Sequence, residues 1–285
     1  MKKLLFLFDT DAYPSVFDTV VAYDGGADRV TGYANVTPDN VGALVDGTIF
    51  TRGGKEKQNT AIFVGGGDMA KGEALLKAVK KKFFGPFRVS VMLDSNGSNT
   101  TAAAGVALLA KAKQLKGKKA VVLAGTGPVG MRAAALLGKE GAEVTITSRT
   151  HKKSDEVAKA IADRFAVKVK AIEAADDATR SAAVKDANIV FAAGAIGLRL
   201  LPLMAWKDNP NIEMVADVNA QPPVGIEGIE ATDKGKDRDG KLAFGALGIG
   251  GLKLKLHRAC VGQLFESSEQ VLDAEEIYAF AKKMA

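Results

Sequence analysis

At 285 residues, with a net charge of +6 and a pI near 9.2, the chain suits two domains of ordinary size. Charges and glycines interrupt every apolar run well short of the ~18 residues a membrane span needs, and a single cysteine excludes an internal disulfide. The basic residues are dispersed and lack interleaved aromatics, which argues against nucleic acid and leaves a polyanionic small molecule as the partner.

Lys3 to Phe8 reads as a buried strand. The apolar part of Met1 to Phe8 ends at Asp9, too short for the signal-peptide core of about 7–15 residues, so the expected compartment is the cytoplasm. Ser15 is an N-cap candidate for a helix through Val21. Phe17 on that helix follows a loop at the C-terminal end of a strand, where ligands bind in open α/β sheets; the alternative is a core aromatic. Val30 to Val36 is a second strand, and Pro38 to Val45 is helical. Ala61 to Val64 is a strand closed by Gly65-Gly-Gly67-Asp68, with a helix from Met69 to Lys82 and a further strand from Arg88 to Leu93. Asp94-Ser-Asn-Gly-Ser-Asn-Thr100-Thr101 then precedes an Ala-rich helix, Ala102 to Leu115. One cap needs one such side chain. The string is open to a second reading, a ligand with many hydrogen-bonding edges.

Four strand–helix units thus stand before Lys119-Ala-Val-Val-Leu-Ala-Gly125-Thr126-Gly127-Pro128-Val129-Gly130, an apolar run ending in G-x-G-x-x-G ahead of a helix. In a dinucleotide-binding fold Gly125 allows the tight turn, Gly127 lets a pyrophosphate approach the backbone, and Gly130 lets the helix lie close to the sheet. The phosphates sit at the helix N-terminus, and Pro128 occupies a first-turn position whose N–H has no partner to lose. Strands at 119–124, 143–147, 167–172 and 188–193 alternate with helices at 128–140, 153–165 and 176–185, with a final strand near Glu213 to Val218. The pattern is a doubly wound parallel sheet.

An NAD binder places a carboxylate at the end of the second strand, about 20 residues past the first glycine. Here Ser148-Arg149-Thr150-His151-Lys152-Lys153 stands instead. Arg149 suits bidentate pairing with a 2′-phosphate, Lys152 adds point charge and Ser148 a hydroxyl, so the cofactor is read as NADP. After the strand ending at Ala192, Ala193 and Gly194 allow backbone to approach the nicotinamide side, or serve a tight turn. Near the C-terminus, glycines from Gly245 to Gly251 suggest a close, flexible backbone approach, followed by a helix through about Phe265. Lys253 and His257 lie four apart and share one face, on a helix or, with Leu252 to Leu256 as a strand, by period two; they are a polar pair at a cleft or two surface residues. Cys260 reads as a small core residue. No His, Cys or carboxylate cluster has metal-ligand spacing. Asp273 to Met284 is an amphipathic helix. Its Tyr278-x-x-x-Lys282 copies the spacing of short-chain dehydrogenases, but only seven residues follow the tyrosine and the glycine motif is spaced differently.

Phe8-Asp-Thr-Asp11, Gly65-Gly-Gly-Asp68, Phe84-Gly-Pro-Phe87, Asp94 to Thr101, Gly125 to Gly130, Asn219-Ala-Gln-Pro-Pro223 and Gly248 to Arg258 together resemble the NADP-dependent methylene-tetrahydromethanopterin dehydrogenases of methylotrophic bacteria. The resemblance implies a pterin-substrate α/β domain over residues 1–115, an NADP-binding Rossmann domain over 116–250, and helices over 251–285 returning to a cleft between the domains. It also implies a homotrimer in which a neighbouring subunit contributes to that cleft. The positions matching the family's active site are Phe17, Thr101, Lys253 and His257. The loop from Ser148 to Lys153 departs in wording but keeps Arg149 and a lysine. The cyclohydrolase Tyr-x-x-x-Lys pair of folate relatives has no counterpart in the first domain.

The implied reaction moves a hydride from the methylene carbon of methylene-tetrahydromethanopterin or methylene-tetrahydrofolate to NADP+. Lys253 then binds a carbonyl or carboxylate of the substrate or has its pKa lowered by burial, since a protonated amine beside a developing cation is unfavourable. His257 orients it. A folate-only dehydrogenase and a non-catalytic NADP sensor on the same fold are the alternatives.

Overall fold

Alternation of short apolar strands with capped helices produces two parallel sheets. The computed structural model describes all 285 residues. The chain divides into two compact units, Met1–Thr100 with Leu254–Phe280, and Thr101–Lys253 with Ala281–Ala285.

The elements of the first stretch are β1 (Leu4–Asp9), α1 (Val16–Asp24), β2 (Arg29–Tyr33), α2 (Val41–Phe50), β3 (Thr60–Gly65), α3 (Met69–Lys81), β4 (Ser90–Leu93) and α4 (Ser98–Ala112). Those of the second are β5 (Lys119–Leu123), α5 (Pro128–Lys139), β6 (Glu143–Ser148), α6 (His151–Phe165), β7 (Lys170–Glu173), α7 (Asp177–Val184), β8 (Ile189–Ala192), β9 (Met214–Asp217), β10 (Lys234–Arg238) and β11 (Lys241–Phe244). The chain ends with α8 (Ala246–Gln263), β12 (Val271–Leu272) and α9 (Ala274–Met284). Side-chain caps fix several helix starts. Ser15 accepts from Asp18 N, Asp68 from Ala70 N and Lys71 N, Thr150 from Lys153 N, and Asp176 forms a capping box with Thr179.

In the first unit the strand order is β12-β4-β3-β1-β2, all parallel, so the order reverses between β1 and β3. Its core packs Phe8, Val45, Ile49, Ile62, Val64, Leu75, Val79 and Val91 between that sheet and helices α2 and α3. In the second unit the order is β10-β11-β9-β8-β5-β6-β7. Read from β7 to β11 this is the doubly wound dinucleotide-binding order, reversing between β5 and β8. A separate core gathers Val121, Leu123, Val190, Leu201, Trp206, Val215 and Ile226. The indole of Trp206 is fully buried and donates to Glu227 O at 2.8 Å, so no polar atom of that large side chain is stranded.

Three sequence expectations need correction. First, the strand near 213–218 does not end the second sheet: β11 pairs parallel with β9, and β10 pairs antiparallel with β11. Lys234-Gly-Lys-Asp-Arg238 carries no apolar alternation because it is the solvent-exposed edge. Its turn, Asp239-Gly240, has φ of +53° and +79°, the two left-handed positions of a type I′ hairpin. Second, the glycines from Gly248 to Gly251 are not a flexible approach but the opening turns of α8. A Cβ on Gly245 or Gly248 would meet Glu230 O or Asp233 O at 2.0 Å, so these two glycines let the helix start lie against the backbone of residues 230–233. Third, α4 begins at Ser98, inside the polar string rather than after it.

Candidate active site

The polar string Asp94 to Thr101 is mostly an internal hydrogen-bonded corner. Ser95, Ser98, Asn99 and Thr100 are fully buried. Ser95 Oγ donates to Gly65 O, Ser98 Oγ to Ser95 O, and Asn99 Nδ2 to Leu93 O. Asn96 takes a left-handed conformation (φ +55°), and its N–H donates to Gly66 O at 2.7 Å. The string therefore ties the ends of β3 and β4 to the start of α4 and offers few edges to a ligand. Thr101 is half-buried.

The same corner holds a buried carboxylate. Asp94 is 0% exposed; its Oδ1 accepts from Thr100 N at 3.0 Å and its Oδ2 from Thr100 Oγ1 at 2.6 Å. Oδ2 also lies 3.8 Å from His257 Nδ1. His257, itself 0% exposed, stacks on Phe63 with ring centroids 5.4 Å apart and planes 17° apart, and lies 6.2 Å from Phe17. Phe17 is 51% exposed, which removes the core-aromatic reading. The structure thus brings Phe17 and His257 together in the first unit. Burial of His257 likewise removes the surface-pair reading for that residue, while Lys253 is half-buried one turn earlier on the same face of α8. Cys260, one turn further on, is buried. Its thiol is pushed up to about 12 by that burial and, second, by the Asp94 charge.

Sequence reasoning overlooked Phe63 and the role of Asp94. A strand that is apolar from Ala61 to Val64 and buried on both faces hides the first, and the second is one of many polar residues in a row. Asp9 was also missed. It is buried at the end of β1, where the strand order reverses, and accepts from Asp11 N and Ser15 N at 2.9 Å each. Asp11 in turn accepts from Gly67 N at 2.8 Å, linking the loops after β1 and β3.

In the second unit the fingerprint loop sits at the end of β5, where the order reverses toward β8. Pro128 opens α5 and Gly127 is its N-cap residue. A Cβ on Gly130 would lie 2.8 Å from Gly125 Cα, so helix and loop touch there without side chains. A Cβ on Gly127 would have nothing nearer than Ala193 O at 3.9 Å, which leaves open space above the helix N-terminus. Gly125 differs from expectation: the left-handed residue of the turn is Ala124 (φ +53°). Gly125 is needed instead because a Cβ would meet Ile146 Cβ at 2.9 Å. Ala193 and Gly194 follow β8 beside this loop, and Gly194 is tight because a Cβ would meet Leu200 Cδ1 at 2.7 Å. Ser148 ends β6 half-buried, and Arg149 and Lys152 are exposed at the start of α6. Glu173, at the end of β7, accepts from His151 N at 3.0 Å at that same helix start.

These two ends match known proteins along the whole chain. Residues 16–96 match the family described as methylene-tetrahydromethanopterin dehydrogenase, N-terminal, and residues 112–196 match a putative NAD(P)-binding family. A protein of Methylorubrum extorquens named bifunctional protein MdtA is 72% identical over 100% of this chain and 99% of its own. An NAD(P)-dependent methylenetetrahydromethanopterin dehydrogenase of the same organism is 30% identical over 100% of this chain and 99% of its own. The chain belongs to the methylene-tetrahydromethanopterin dehydrogenase family. Solved structures add a likeness of fold alone. Shikimate 5-dehydrogenase of Listeria monocytogenes is 14% identical with a TM-score of 0.56, over 98% of this chain and 96% of that one. The 5-ketofructose reductase of a Gluconobacter strain is 16% identical with a TM-score of 0.54, over 100% and 99%. No helix of this family member is long and apolar enough to cross a membrane.

Proposed function

We propose that this chain is an NADP-dependent dehydrogenase that oxidises methylene-tetrahydromethanopterin, and methylene-tetrahydrofolate as a second substrate, to the methenyl cation. The observation that carries the reading is the end-to-end identity with two proteins of one family, one named as an NAD(P)-dependent methylenetetrahydromethanopterin dehydrogenase. The loop from Gly125 through Thr126, Gly127, Pro128 and Val129 to Gly130 fits a pyrophosphate. It leaves free space at Gly127, presents a helix N-terminus and demands no side chain at its two contact glycines. The absence of a carboxylate at residues 148–153, and the presence of Ser148, Arg149 and Lys152, favour the 2′-phosphorylated cofactor.

When bound, NADP+ supplies the hydride acceptor, C4 of the nicotinamide. The lone pairs of the two nitrogens flanking the methylene carbon expel the hydride, so the protein needs no strong base; alignment is the main demand on it. Phe17, exposed beside His257, offers its ring face to the pterin or the nicotinamide. Thr101 donates a hydrogen bond to the substrate. Lys253 binds a substrate carbonyl or carboxylate, and His257 orients it from one turn along α8. Ala193 and Gly194 leave the backbone bare on the nicotinamide side. The reading includes a cytoplasmic protein assembled as a homotrimer. The apolar residues Val16, Val20 and Tyr23, exposed at 79%, 53% and 46% on one face of α1, are in keeping with assembly.

The test is absorbance at 340 nm with each nicotinamide and each methylene pterin. NADPH formed faster than NADH is the expected result. No reduced nicotinamide with either pterin, with NADP+ still bound, would leave a nicotinamide-sensing protein instead.

A further inference from the structure

The reading above gives His257 a role but leaves open what orients its own ring. We infer that Asp94 is its positioning residue, holding the imidazole as the Nδ1–H tautomer and so leaving Nε2 as a hydrogen-bond acceptor. The inference rests on His257 belonging to the site.

A carboxylate at zero exposure is costly unless donors bond its oxygens. Thr100 supplies two donors to Asp94, one from the backbone and one from the hydroxyl, and together they fix the carboxylate plane. The oxygen taking the hydroxyl bond is also the one aimed at His257 Nδ1, at 3.8 Å. That separation exceeds a hydrogen bond but lies within the range of an ion pair, and bonds of this kind are commonly long before substrate closes a site. Phe63 stacks on the ring and Phe17 lies tilted beside it, so packing as well as the carboxylate orients the imidazole. With Nδ1 toward a carboxylate, which only accepts, the single proton of a neutral imidazole belongs on Nδ1. Nε2 then keeps its lone pair. The ammonium of Lys253, one turn earlier on the same helix face, is a donor of the kind that atom takes. Asp94 approaches the ring from the end of β4, and Lys253 and Cys260 stand about one turn to either side of His257 on α8. Cys260 has its thiol pushed up to about 12 and stays neutral.

The chain has only two histidines, so a long-range proton–nitrogen spectrum of histidine-labelled protein is assignable, with His151→Gln removing the other signal. The expected wild-type result at neutral pH is an Nδ1–H tautomer for His257. Asp94→Asn, whose amide presents N–H to Nδ1, moves the proton to Nε2. It also lowers kcat by about tenfold or more, the scale of loss known for partners that orient metal-ligating histidines, with the KM for NADP+ unchanged. Thr100→Val loosens the carboxylate and gives a smaller fall in kcat, which Thr100→Ser restores; this pair decides the matter if Asp94→Asn does not fold. An Nε2–H or doubly protonated His257 in the wild type overturns the inference, as does an unchanged tautomer in Asp94→Asn or no recovery with Thr100→Ser. Failure of the unaltered chain to reduce NADP+ would overturn the proposed reaction instead, while the spectrum would still decide the link between Asp94 and His257.

Discussion

Gly127 and Gly130 stand three residues apart in one motif, and the structure gives them opposite duties. In Gly130→Ala the new methyl carbon falls 2.8 Å from Gly125 Cα, 3.0 Å from Gly125 C and 3.1 Å from Ala124 O, all backbone atoms. Ordinary contact begins near 3.4 Å, so α5 must withdraw from the loop by about half an ångström. The cost expected for such overpacking is about 2–3 kcal/mol, near the top of the usual range because no side chain can turn away. Gly127 has φ −78° and ψ 168°, an extended conformation alanine accepts, and its methyl carbon would meet nothing nearer than 3.9 Å. Gly127→Ala should therefore change stability by less than about 1 kcal/mol. It should instead obstruct the pyrophosphate. Loss of one backbone bond to a charged oxygen, about 1.5–3 kcal/mol, weakens NADP+ binding roughly 10- to 150-fold. Urea unfolding and calorimetric titration with NADP+ on both variants separate the two effects. A Gly127→Ala protein that binds NADP+ as tightly as the parent would refute the assignment of that open space. A fully stable Gly130→Ala would refute the contact.

Arg149→Ala should raise the KM for NADP+ about tenfold or more and leave that for NAD+ little changed, because only the 2′-phosphate is lost as a partner; equal effects on both would sink the assignment. Lys253→Met should lower kcat or raise the KM for the methylene pterin by at least about tenfold, and steady-state kinetics unchanged in both terms would remove Lys253 from the site. Cys260 carries a pH prediction. Its folded thiol pKa, about 12, exceeds the unfolded value, so the unfolded chain loses its proton first and stability falls as pH rises between the two. The stability advantage of the parent over Cys260→Ala, from urea unfolding, should shrink by up to about 2 kcal/mol between about pH 8.5 and 10.5; a constant difference would contradict the buried-thiol account.

The parallel sheets were legible because β1, β3, β5 and β8 are short apolar runs that end in glycine or polar loops, a pattern that helices of this length do not share. The dinucleotide-binding fold was legible too, since a strand-to-helix turn as close as that at Gly125 and Gly130 must be written in glycine. Two kinds of feature escaped. β10 was invisible because an edge strand exposed on both faces need not be apolar, although Asp239-Gly240 marked its hairpin. The Asp94–Thr100 pair was hidden in plain view. A run of hydroxyl and amide side chains looks the same whether it faces a ligand or the protein interior, and only burial separates the cases. His257 was singled out by rarity and spacing, but Phe63 and Asp94, which flank it, are remote in sequence and could be joined to it only by the fold.

The pairing of β12 with β4 also bears on how the molecule is made. Val271 and Leu272 close one edge of the first sheet against Val91 and Met92, yet they are synthesised after every strand of the second sheet, β5 to β11. At ribosomal rates the edge of β4 waits about 10–35 s for its neighbour. During that interval Ser90 lacks its bonds to Ser267 and Gln270, and Asn99 keeps Leu93 O but lacks Asp273. The sheet whose strands emerge first is therefore the sheet completed last. A slow codon run or a truncation near the C-terminus is expected to harm the N-terminal sheet before it touches the nucleotide-binding one.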